Sequence, residues 1–268
     1  MLKTVLFTFF TCLFGSFIMP NSSWDNDPRS LSKFSYLIYA KMAPSLAVHG
    51  TACFIKYNKD TFLVTAAHVI TGWNPVTSSL EYITPNIFSV MIYNSDTKLS
   101  DTLLLDITYF KENSIKSFYY ASPDIFLTKV SLLPKYEINI ITIHTEDYNE
   151  GYLHSNIYCY GYHVRSDMLP SELIMEVPSS ALGNIITGLD QLVSYPGTQT
   201  IDSINYLASM QAGGYGQGYS GCPIFIKKNG NDGFIFGGIG LAGDSSFTNM
   251  AILKPQEIIK AVNRFNEK

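Results

Sequence analysis

The sequence predicts an all-β protein closed by one helix, and three observations predict it. Short runs rich in Ile, Val, Phe, Tyr and Thr recur along the chain. Asn, Asp, Gly, Pro and Ser separate these runs. The last stretch instead repeats its apolar residues at helical spacing. With 268 residues, 46% of them hydrophobic and 14% aromatic, the chain can bury the core of one large domain or two small ones.

At the start, Lys3 precedes the apolar run from Val5 to Ile18, and a polar stretch opens at Asn21. A positive start, a short apolar middle and a polar exit predict a secretory signal peptide over residues 1–20. An uncleaved membrane anchor is the alternative, and Phe9 and Thr11 ahead of Cys12 fit a lipid-attachment motif poorly. Residues 21–33 read as a polar linker with a turn at Asp27-Pro28.

The strand candidates then follow in order: "FSYLIYAKM", "TACFIKY", "TFLVTAA", "FSVMIY", "INIITIH" and "NIYCYGYHV". Turns are expected at "NKD", "NSD" and "KNGNDG". At the end Pro255 suits a first helical position, and Ile258, Ile259, Val262 and Phe265 share one face.

A formal net charge of −4, with no cluster of Lys and Arg, gives nucleic acid no footprint. Past the leader only Cys53, Cys159 and Cys222 remain. An odd, widely spread set is neither a disulfide framework nor a close-spaced metal site. One bridge stays open, with no sequence basis for choosing the pair.

The stretch "QGYSGCPIF" sets Ser220 between Gly218 and Gly221 and follows it with Cys222 and Pro223. Alone it reads as a turn. A serine nucleophile needs a base, and the base an orienting group. His68 closes "TFLVTAAH", a strand-like run ending at two small alanines, and Asp124 opens "PDIFLTKV". Asp106, before "ITYF", competes with Asp124 for the carboxylate role. His49, His144, His154 and His163 have no such context and read as surface or packing residues.

Together "TAAH", "DIFL" and "GYSGCP", in that order, make the sequence resemble the trypsin-like (chymotrypsin-fold) serine peptidases over most of residues 34–268. The resemblance implies two antiparallel β-barrels, over 34–133 and 134–268, the second ending in the closing helix. It implies that Ser220 attacks the scissile carbonyl, His68 carries the proton and Asp124 holds the imidazole. The backbone N–H groups of Gly218 and Ser220 would face the oxyanion. The substrate pocket would be lined by Gly214, Gly240, Leu241 and Ala242, and no metal or cofactor is needed.

Several positions depart from the family pattern. Tyr219 stands where trypsin has an aspartate that pairs with a freed N-terminus, so the chain resembles bacterial members that fold directly into an active form. Val69 occupies the place of the half-cystine that would partner Cys53, and Cys222 that of a usual glycine. Gly214 replaces the carboxylate that selects Lys or Arg, which points to a small or apolar side chain before the cut. The implied function is a secreted or periplasmic serine endopeptidase with protein or peptide substrates. The alternative is a catalytically silent protein of the same fold that binds peptides or partner proteins.

Overall fold

The computed structural model describes residues 27–43, 46–71, 73–74, 79–80, 87–94, 99–106, 123–130, 138–148, 152–163, 178–191, 193–194, 201–212, 214–227, 233–244 and 246–267. The expected signal peptide at 1–20 and the first part of the linker lie outside the described residues. The rest of the linker is not featureless: Pro28–Phe34 forms a 3-10 helix. Asp27 caps it by accepting from the Arg29 amide, Pro28 presets its first turn, and Leu31 and Phe34 share a buried side.

The first half is a seven-stranded sheet. Its strands are β1 (Tyr36–Ala43), β2 (Leu46–Tyr57), β3 (Asp60–Thr65), β6 (Ile87–Asn94), β7 (Leu99–Asp106), β8 (Phe126–Lys129) and β9 (Ile140–Thr142). Two short pieces, β4 (Trp73–Asn74) and β5 (Ser79–Leu80), pair with each other. The long β2 serves two partners in turn, with Ala52 and earlier residues opposite β1 and Cys53 onward opposite β3. Beyond Ala52 one edge of β2 is free, and β9 takes it in parallel register, Phe54 opposite Ile140. So although β9 falls after the boundary expected at residue 134, it belongs to the first sheet. Among the described residues β7 and β8 lie at the two ends of the strand order.

The second half is a closed six-stranded antiparallel barrel in the order β10-β11-β14-β17-β16-β15. These are Asn156–Gly161, Ser179–Ile185, Asn205–Met210, Asn249–Leu253, Phe234–Gly243 and Pro223–Lys227 respectively, and the short β12 (Val193–Ser194) and β13 (Ile201–Asp202) pair with each other. Along β11, Ala181, Gly183 and Ile185 are buried while Leu182 and Asn184 between them are exposed, as a barrel wall with one dry face requires. By contrast β16 is buried from Phe234 through Leu241. Its Ile235 enters the barrel interior, whereas Phe234 and Phe236 enter a second core shared with the first sheet.

That shared core joins Phe54, Phe62 and Phe126 of the first sheet to Phe225, Phe236 and Leu253 of the barrel. The closing helix α2 (Pro255–Asn266) adds Ile258, Ile259 and Val262, as its spacing predicts. Phe265 reaches across to Phe62 in an edge-to-face contact at 5.8 Å.

Candidate active site

Strand β3 stops at Thr65, and the chain turns into the short helix α1 (Ala67–Thr71), whose first turn carries His68. Thr65 lies opposite Phe126 of β8, so Asp124, two residues before Phe126, arrives beside His68. The His68 Nδ1 and Asp124 Oδ2 are 2.6 Å apart, and the His68 amide donates to Oδ1 at 3.0 Å. Both carboxylate oxygens thereby meet His68. Asp124 is buried, and the His68 side chain keeps 27% exposure. Burial alone would depress the imidazole, but the charge and hydrogen bond of Asp124 outweigh it and hold the pKa above its ordinary value. Asp106 ends β7, separated from β3 by β6, β1 and β2.

Ser220 comes to this place from the barrel half, on the loop before β15. The Thr51 amide of β2 donates to the Ser220 carbonyl at 3.0 Å, and Thr51 Oγ1 donates to the Gly218 carbonyl at 2.7 Å. Thr65 Oγ1 in turn donates to the Thr51 carbonyl at 2.7 Å. Gly221 fits between them only because it lacks a side chain: its φ is +86°, and a Cβ would overlap the Thr51 carbonyl and the Thr65 hydroxyl. Gly218 also has a left-handed backbone, φ +91°. The Ser220 hydroxyl donates to the Leu241 carbonyl at 2.8 Å.

No family model and no curated protein matches the sequence. Solved structures do match. A serine endoprotease from Yersinia pestis aligns with a TM-score of 0.52 at 12% identity, covering 88% of this chain and 64% of that one. The chain has the chymotrypsin fold. Tobacco etch virus protease aligns at 10% identity with a TM-score of 0.49, over 89% of this chain and 82% of its own. Deg5 aligns at 14% identity with a TM-score of 0.44, over 87% of each chain.

Within this chymotrypsin fold the expected pocket residues turn in different directions. A Cβ on Gly214 would face Ala181 of β11, and one on Gly240 would meet the sulfurs of Cys222 and Met250 inside the barrel. The Leu241 side chain lies in the shared core, so only its carbonyl meets Ser220, and Ala242 packs partly buried against the same core. Cys53, Cys159 and Cys222 are free and buried, and burial beside Cys159 pushes the Cys222 thiol well up.

Three residues that position the site carry no sequence signal of their own. Thr51 and Thr65 are buried polar groups whose partners belong to distant segments. Tyr219 sends its hydroxyl to the carbonyls of Ser179 and Gly214, each at 2.8 Å, and to the Ser179 hydroxyl. Its ring fills the space above Gly161. The only hint was negative: a bulky residue stands where the related trypsin motif has a carboxylate.

Proposed function

We propose that the protein is an exported serine endopeptidase acting through His68, Asp124 and Ser220. The observation that carries this reading is the 2.6 Å contact of His68 with a buried Asp124 whose second oxygen takes the His68 amide. That arrangement fixes the ring and leaves Nε2 as the free acceptor. His68 Nε2 takes the proton of the Ser220 hydroxyl as Oγ bonds to the scissile carbonyl carbon. The same proton then goes to the leaving amine as the C–N bond breaks. Water, deprotonated by His68, opens the resulting ester and restores Ser220. Among the described residues no protein acceptor takes the amide hydrogens of Gly218 and Ser220, which supports their assignment to the oxyanion.

A second reading, a silent protein that binds peptides, is favoured by the Ser220 hydroxyl resting on the Leu241 carbonyl. Covalent labelling decides between them. The leaderless protein is treated with a fluorophosphonate and read by intact mass, beside Ser220→Ala and His68→Ala. The peptidase reading expects one adduct on the parent, none on Ser220→Ala and strongly slowed labelling of His68→Ala. A folded parent that stays unlabelled rejects it.

A further inference from the structure

Thr51 fixes the later part of the serine loop through Gly218 and Ser220. The earlier part is held by other means. Tyr215, five residues before Ser220, packs partly buried against the barrel's own core. Its ring tip rests on the backbone of β16, since a Cβ on Gly243 would overlap Cε1 and the hydroxyl oxygen. Two further rings meet it edge to face, Tyr219 at 5.5 Å and 86° and Phe247 at 5.6 Å and 82°. Tyr219 immediately precedes Ser220, and its hydroxyl returns to the carbonyl of Gly214, the neighbour of Tyr215. The segment from 214 to 219 is therefore tied into one piece, and Phe247 touches that piece from outside it.

Phe247 lies in the hairpin that joins β16 to β17. Its φ of 54° is a left-handed backbone that side chains such as Phe rarely adopt, so the hairpin has to be held in shape. Asp244 holds it. The Phe247 amide donates to the Asp244 carbonyl at 3.0 Å. The Asp244 carboxylate accepts from the amides of Thr248 and Asn249, the Thr248 hydroxyl and Asn249 Nδ2, at 2.7 to 3.3 Å. The Met210 amide of β14 donates to the Thr248 carbonyl at 2.7 Å and ties the hairpin to the barrel wall. Burial would raise the Asp244 carboxyl, but its donors from Asn249 and Thr248 outweigh that and hold it well below the usual carboxylate range, so it stays charged while His68 titrates.

We propose that Asp244 and Phe247 are positioning residues for the reaction: through Tyr215 and Tyr219 they brace the loop that presents the Ser220 hydroxyl and the amides of Gly218 and Ser220. The proposal rests on the peptidase reading and adds what keeps that loop in register. Neither residue touches the reacting atoms. Their effect comes from geometry, because donors and a nucleophile that shift by a fraction of an ångström lose much of their hold on a transition state.

Saturation kinetics of fluorophosphonate labelling, read by intact mass, test the brace by separating the maximal rate, kinact, from the half-saturating concentration, KI. Phe247→Ala and Asp244→Ala are expected to lower kinact about tenfold at unchanged KI, with the acid limb set by His68 left in place. Phe247→Tyr, which keeps the ring, and Asp244→Asn, which keeps an acceptor for the Thr248 and Asn249 amides, are expected to recover most of the rate. If Asp244→Ala does not fold, Phe247→Ala at its half-buried turn position and Phe247→Tyr still decide. Folded Ala variants that melt earlier yet keep the parent's kinact overturn the brace and leave the peptidase reading standing. A parent that takes no fluorophosphonate ends the peptidase reading, and the brace falls with it.

Discussion

Tyr219 holds the loop before Ser220 through one hydroxyl that reaches the carbonyls of Ser179 and Gly214 and the Ser179 hydroxyl. Tyr219→Phe keeps the ring over Gly161 and leaves those atoms without it. The expected cost is about 1–3 kcal/mol, read as a lower thermal midpoint, with fluorophosphonate labelling slowed roughly tenfold. At His68 the sign of the pH effect follows from its raised pKa. A general base must be neutral, so the acid limb of kcat/KM is expected above the ordinary imidazole value of 6.5. In Asp124→Asn that limb should move down. The same shift means that the charged pair stabilises the fold below the unfolded-state pKa, and that this contribution is lost as pH rises through the folded one. A stability profile rising across that window would contradict it. His68 and Asp124 were legible because each sits at the end of its own apolar run. Tyr215 and Thr51 were not, since what they touch is set by chain folding: the Thr51 hydroxyl reaches a carbonyl 167 residues away.

Among the elements, α2 was the most legible, because its apolar spacing and Pro255 are local signals. Its energetic weight comes from a place the spacing does not name, the core shared by both halves. Ile258 is fully buried there, and Ile258→Ala is expected to cost about 2–5 kcal/mol, measured as a lower urea midpoint at unchanged slope. A loss under 1 kcal/mol would mean that the helix docks loosely. The strand run around Ile140 was also readable, but its partner and direction were not. β9 lies parallel to β2 because β1 leaves an edge of β2 open beyond Ala52, a fact of tertiary pairing. The 3-10 helix at Pro28–Phe34 was masked by its polar composition, since only Leu31 and Phe34 turn inward.

At the scale of the whole molecule, the sheet and the barrel share one core, so they are expected to unfold together. The thiols offer a direct measurement: Cys53 lies in the shared core, and Cys159 and Cys222 lie in the barrel's own. All three should resist a thiol reagent in the native protein and become reactive in one step that coincides with loss of β-sheet circular dichroism. Earlier exposure of Cys159 and Cys222 would show the barrel melting separately. The two-part β architecture with its final helix was readable from runs, turns and the motif order. The parallel pairing of β9 with β2 across the two halves of the sequence was not, because it depends on which strand edges find partners. The Thr51 bonds to Gly218 and Ser220 also impose a schedule on biosynthesis. Translation delivers Thr51, Thr65, His68 and Asp124 first, and the loop from 214 to 221 is fitted onto them late. A nascent chain halted before that loop therefore carries the His68–Asp124 pair alone, and on the proposed peptidase reading the serine becomes competent only as part of a nearly finished molecule.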